Sequence, residues 1–142
     1  MLDKWDARFL AQAAQVSTWS KDPSTQTGAV IVNSKKKVLS VGFNGFPQGI
    51  KDDWRLGDRG IKYEMIIHCE INALIFAEAS LDGCTLYTYP FLSCSRCAAI
   101  MIQAGVTRVV APKAEERPEK TFNMGLTRAL YYEAKVEVLE VE

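Results

Sequence analysis

His68-Cys69-Glu70-Ile71-Asn72-Ala73, then Thr85-Leu86-Tyr87-Thr88-Tyr89, then Cys94-Ser95-Arg96-Cys97 is the stretch on which the fold of this chain turns. It reads as helix, strand, helix. Glu70 to Ser80 places Ile71, Leu74 and Ile75 on one helical face. Asp82-Gly83 is a turn signal, and Thr85 to Tyr89 is a strand. Ser95 to Ala104 is a second helix, closed by Gly105 as a left-handed cap. The crossover through the strand sets parallel elements side by side. His68 falls at the start of the first helix and Cys94 and Cys97 at the start of the second, so two helix N-termini converge on one ion.

The residue types make that convergence chemical. His68 is the chain's only histidine. A histidine and two cysteines one turn apart form a three-ligand Zn2+ set, and three ligands leave a fourth position for water, the mark of a catalytic site. The spacing of Cys94 and Cys97 puts both sulfurs near one face, where the positive end of the helix favours thiolates. Glu70 stands two residues from the histidine, placed to move protons. Each part alone has another reading. C-x-x-C also serves thiol redox chemistry or half of a structural zinc site, a lone histidine is more often a satisfied polar group, and H-x-E is weak. The joint pattern is close to the zinc deaminase signature. Cys69 and Cys84 are possible fourth ligands that would close the site. As the immediate neighbour of His68, Cys69 points its side chain away from the ion, and Cys84 sits in a turn before a strand. Small buried apolar roles suit both.

Outward from this centre the chain reads as one domain, residues 1–142, with no repeat, linker or low-complexity segment. Leu2, Trp5, Phe9, Ala13 and Val16 predict an amphipathic helix over 2–19, ended by Asp22-Pro23. Ala29–Val32 and Val38–Val41 read as strands about a turn at Asn33–Lys37. Residues 47–63, rich in glycine and charge, read as a long loop. Val106–Ala111 is a strand, a charged loop surrounds Pro112–Pro118, a helix follows over about 119–133, and Val136–Val141 is a last strand. This order implies an α/β fold with a mixed sheet covered by helices.

Length and charge bound the function. A chain of 142 residues supports one core, and 48% apolar with 24% charged residues is ordinary for a globular domain. No apolar run approaches the roughly 20 residues of a membrane helix, and the acids Asp3 and Asp6 do not suit a signal peptide. Four cysteines without a secretion signal favour metal binding over disulfides, hence a cytoplasmic setting. The 17 basic and 17 acidic residues cancel. The densest basic run, Lys35-Lys36-Lys37, lies in a turn, so a small molecule is favoured over a nucleic-acid partner.

Residues 17–111 resemble the deoxycytidylate (dCMP) deaminase family of the cytidine deaminase superfamily. The resemblance rests on Ser20-Lys21-Asp22-Pro23-Ser24-Thr25-Gln26-Thr27-Gly28-Ala29, on Gly42-Phe43-Asn44-Gly45-Phe46-Pro47, on His68 to Ala73, and on Ser93-Cys94-Ser95-Arg96-Cys97-Ala98 continued by Ile102-Gln103-Ala104-Gly105-Val106. It implies a three-layer α-β-α fold around a mixed five-stranded sheet. It also implies hydrolytic deamination of dCMP to dUMP, supplying thymidylate synthesis. His68, Cys94 and Cys97 would hold Zn2+, which lowers the pKa of water, and Glu70 would carry protons to the ring nitrogen and the departing amine. Lys21, Ser24, Gln26, Thr27, Ala29 and Asn44 would face the nucleotide, Lys21 toward its 5′-phosphate. Gly42, Phe43, Asn44 and Gly45 match a loop that in regulated members binds the activator dCTP or the inhibitor dTTP with Mg2+, in hexamers whose effector lies between subunits. Trp54 and Phe46 would suit such an interface. A second, histidine-containing zinc site of the kind some relatives carry is excluded by the single histidine.

The chain departs from the family pattern in three places. Cys69 stands where alanine is usual, Phe43 where tyrosine is commoner, and Ser93 where a proline precedes the first metal cysteine; the nearest proline is Pro90. Competing readings are a deaminase of the same fold acting on another cytosine or adenine substrate, including tRNA, and a non-catalytic zinc-stabilised binding module.

Overall fold

Strand residues alternate between two apolar cores in the computed structural model, which describes residues 2–114 and 124–142. In β1 (Gly28–Val32), Ala29 and Ile31 enter one core while Val30 and Val32 enter the other. The period-2 geometry of a strand sends neighbouring side chains to opposite faces. The same alternation divides Leu86 from Tyr87 in β3 (Thr85–Tyr89), and Val109 and Ala111 from Val110 in β4 (Arg108–Pro112). With β2 (Val38–Phe43) and β5 (Glu137–Val141) the sheet runs β2-β1-β3-β4-β5. β1 is antiparallel to both of its neighbours, while β3, β4 and β5 are parallel.

Helices cover both faces. α1 (Lys4–Ser17) lays Phe9 and Ala13 on the Val30–Tyr87–Val110 face. On the other side α3 (Cys69–Ala77), α4 (Ser95–Ala104) and α5 (Met124–Glu133) bring Cys69, Ala73, Ala98, Met101 and Tyr131 to the larger core. The architecture is the three-layer α-β-α arrangement around a mixed five-stranded sheet. β2 approaches α3 closely: a Cβ on Gly42 would stand 2.4 Å from the Cys69 carbonyl oxygen and 2.5 Å from the Ala73 nitrogen, so only glycine fits. This contact sets the height of α3, and with it His68 and Glu70, against the sheet.

Element ends differ from the sequence reading for local reasons. α1 begins at Lys4 because Asp3 forms a capping box with Asp6. It ends at Ser17, short of Asp22-Pro23, where the Ser17 and Thr18 hydroxyls donate to the Ala14 and Gln15 carbonyls at 2.6 Å each. Leu2 therefore lies outside the helix and is exposed. α3 stops at Ala77 because Glu78 turns left-handed, φ 52°. β4 starts two residues later than expected, since the left-handed Gly105 cap returns the Val106 N–H to the Met101 carbonyl.

The larger correction concerns 47–63, which is not a plain loop. It holds a 3-10 turn (Trp54–Gly57) and most of α2 (Arg59–Met65), started by Asp53 and Asp58, whose carboxylates accept the Arg55 and Ile61 N–H groups at 3.1 Å each. Seven residues are too few for a helical period to stand out. Beyond β2, Gly45 forms an isolated antiparallel bridge with Ile67. The expected charged loop beyond Ala114 and the helix start at 119–123 lie outside the described residues. Among the described residues no helix is long and apolar enough to cross a membrane.

Candidate active site

Two helix N-termini meet at one point. His68 is the N-cap of α3 and Cys94 the N-cap of α4; neither side chain caps its own helix, so both are left for another partner. Cys97 lies one turn into α4. His68 Nδ1 stands 3.2 Å from Cys97 Sγ and 3.4 Å from Cys94 Sγ, and the three ligand atoms lie within 4.8 Å of one another. Cys69 and Cys84 are not part of the cluster. Both are buried in the core, and burial pushes each thiol above its ordinary value.

The cluster attracts positive charge. The Cys94 thiol is pulled down to about 4, chiefly by the hydrogen bond with Cys97 and further by His68. That bond pushes Cys97 up, and the bond with Cys94 raises His68. One imidazole nitrogen and two sulfurs, one of them readily ionised, fit the donor set of zinc with a fourth position open.

Glu70 lies beside this set. It is buried, with Oε1 4.0 Å from His68 Nδ1 and Oε2 accepting a 2.8 Å hydrogen bond from the Ser93 hydroxyl. The buried Thr127 of α5 donates to the Ser93 carbonyl at 2.9 Å. The C-terminal helix thus holds the loop ahead of Cys94, a role that its sequence gave no sign of.

A cavity of about 260 Å³ opens over His68, Glu70 and Cys94, near the lower limit for small-ligand sites. Ser24, Thr27 and Asn44 line it; Lys21, Gln26 and Ala29 do not. Lys21 is largely exposed and pairs with Asp52 at 3.4 Å. The Gln26 side chain donates to the Ser20 carbonyl at 2.6 Å, and Ala29 is wholly buried in β1. Among the described residues the cations at the cavity are Arg59 and Lys62, both on α2, inside the segment whose sequence reads as a loop.

One wall is a polar knot. The Asp22 carboxylate takes the Ser24 N–H at 2.8 Å, the Asn44 amide at 3.3 Å and the buried Lys62 ammonium at 3.1 Å. Asn44 also accepts the Thr27 N–H at 2.9 Å and donates to the Thr25 carbonyl at 2.9 Å. Its amide is therefore engaged within the protein, joining the Ser20–Ala29 segment to the end of β2. Of the other residues in the Gly42–Gly45 stretch, Gly42 packs on α3 and Gly45 on Ile67. Phe43 is partly exposed and meets Trp19 edge to face at 6.2 Å.

Residues 3–113 match the model of the cytidine and deoxycytidylate deaminase zinc-binding region. The chain belongs to this family. It is 45% identical over 116 residues to an uncharacterised deaminase from the luxG 3′ region of Aliivibrio fischeri, covering 82% of this chain and 78% of that one. It is 38% identical over 114 residues to the human deoxycytidylate deaminase, covering 75% of this chain and 64% of that one; the chain thus spans under two thirds of that relative. In structure it is similar to the dCMP deaminase of cyanophage S-TIM5 solved with dCMP and dUMP. The TM-score is 0.83 at 24% identity over 99% of both chains, a likeness of fold.

Proposed function

We propose that this protein is a zinc-dependent hydrolytic deaminase that converts dCMP to dUMP and ammonia. The observation that carries the reading is the buried Glu70 carboxylate beside the His68–Cys94–Cys97 set, with His68, Cys94 and Glu70 lining one cavity. Similarity to deoxycytidylate deaminases supports it. His68, Cys94 and Cys97 would hold Zn2+, which would supply a Lewis acid able to lower the pKa of water to near neutrality.

The chain's own residues do the rest. Glu70 Oε1 takes one proton from the attacking water and passes it to the ring nitrogen, then takes the second from the newly added hydroxyl and passes it to the amine, which leaves as ammonia as the carbonyl forms. A carboxylate suits both directions of transfer. The Tyr89 and Phe91 rings on the cavity wall offer apolar surface to the base. Arg59 and Lys62 are assigned to the 5′-phosphate, in preference to Lys21, because they line the cavity.

The same reading places the enzyme in the cytoplasm, where the four free cysteines stay reduced, and gives it a part in thymidylate supply. We further infer a hexamer that answers to dCTP and dTTP with Mg2+. The Gly42–Gly45 resemblance and the exposed Trp19–Phe43 pair, which offers a stacking surface, support this. Trp54, 69% exposed, suits a subunit interface.

The phosphate assignment makes a direct prediction. Arg59→Ala raises KM for dCMP roughly ten-fold and leaves KM for deoxycytidine unchanged, measured by steady-state kinetics. Equal effects on both substrates would remove Arg59 from the phosphate.

A further inference from the structure

Ser93 occupies the place where the family pattern has proline, and proline has no hydrogen-bonding side chain. Here the side chain is buried, 3% exposed, and its hydroxyl donates at 2.8 Å to Glu70 Oε2. The second carboxylate oxygen, Oε1, is the one that faces His68 Nδ1, at 4.0 Å. The two oxygens of Glu70 therefore have different partners. One is anchored to the loop before α4; the other faces the ligand set.

We propose that Ser93 is a positioning residue for Glu70: its hydroxyl holds Oε2 so that Oε1 alone faces the reaction. This rests on the reading of Glu70 as the proton carrier. A general base must lie within hydrogen-bond reach of the proton it moves, and a carboxylate held at one oxygen cannot swing both oxygens away. The Ser93 proton stays on Ser93 throughout. The protons of the reaction come and go at Oε1, so the anchoring bond survives in both states of the carboxylate.

The anchor is itself held. Thr127 Oγ1 fixes the Ser93 carbonyl at 2.9 Å, and the next residue, Cys94, caps α4. The bond thus joins Glu70 on α3 to the loop that carries the first metal cysteine, and α5 holds that loop from behind. The Cys69 thiol also lies 3.6 Å from Oε2, a weak donor that cannot replace the hydroxyl.

The test is Ser93→Ala and Ser93→Thr in zinc-loaded protein, with wild type and Glu70→Ala alongside. Ser93→Ala is expected to lower kcat for dCMP roughly ten- to a hundred-fold, the value of a hydrogen bond to a charged group. KM stays within about two-fold and zinc content is unchanged, because only positioning is lost. Ser93→Thr, which keeps the hydroxyl, recovers most of kcat. The proposal is overturned if Ser93→Ala matches wild type, if it raises KM with kcat intact, if it loses zinc together with activity, or if threonine fails as alanine does. An inactive wild type, or an active Glu70→Ala, would instead overturn the reading of Glu70. Activity in wild type, none in Glu70→Ala and full activity in Ser93→Ala would sink the Ser93 proposal alone.

Discussion

Glu70→Ala leaves zinc bound at wild-type stoichiometry and lowers kcat for dCMP by about 10²–10⁴-fold, the range of a positioned general acid–base. Glu70 is not one of the three clustered ligand side chains, so its loss does not remove a donor to the ion. It is buried beside them, with Oε1 4.0 Å from His68 Nδ1. Alanine removes both oxygens and leaves no titratable group in their place. Glu70→Gln keeps the shape and the Ser93 contact but cannot cycle a proton, so it is expected to fail nearly as badly. Metal content and the steady-state rate of dUMP formation, measured on the same preparation, check this. Loss of zinc with activity would make Glu70 a support of the metal set, and retained activity would place the proton carrier elsewhere.

The second large effect is on stability, far from the site. Asp6 on α1 is wholly buried. It accepts both ends of the Arg108 guanidinium, at 2.6 and 2.8 Å, and the Tyr87 hydroxyl at 2.7 Å. The bond from Arg108 is the main reason its carboxyl is held at about 2. Tyr87 is pushed up by burial and by that same acid, and Arg108 is itself raised by Asp6. Removing one partner of a buried ion pair strands the other, which costs about 3–5 kcal/mol. Arg108 is partly exposed and also meets Glu137 at 3.1 Å, so about 3 kcal/mol is expected for Asp6→Asn.

That loss lowers Tm by about 10 °C. The pH dependence has a fixed sign. The folded pKa lies below the ordinary value of 3.8, so the stabilisation is fully present above about pH 4 and is lost as pH falls through about 2. Over that interval wild type gives up about 2 kcal/mol that Asp6→Asn never had. Both proteins protonate their metal thiolates alike, so the difference between their acid-unfolding curves isolates Asp6. Parallel curves would contradict the assignment.

Local signals carried most of the fold into the sequence. β1 could be read because Ala29–Val32 is an uninterrupted apolar run, and α1 because Phe9, Ala13 and Val16 repeat at helical spacing. His68, Glu70, Cys94 and Cys97 could be read because two short spacings at helix starts carry them. What escaped has physical reasons. α2 is a seven-residue helix inside a charged stretch, so Arg59 and Lys62 looked like loop cations. Asp6 and Arg108 are 102 residues apart, and in the sequence Asp6 spoke only against a signal peptide. Thr127 and Ser93 are 34 apart, and a single helical threonine gives no sign of what it reaches. Lys21 was the nearest cation in the resembling stretch, but its side chain turns outward to Asp52.

The most direct measurement is product formation by zinc-loaded wild-type protein given dCMP, CMP, dCTP and deoxycytidine in parallel. The expected result is dUMP and ammonia in equal amounts from dCMP, at the highest kcat/KM of the four. No turnover of any of them, or a clear preference for one without a 5′-monophosphate, would contradict the proposed function.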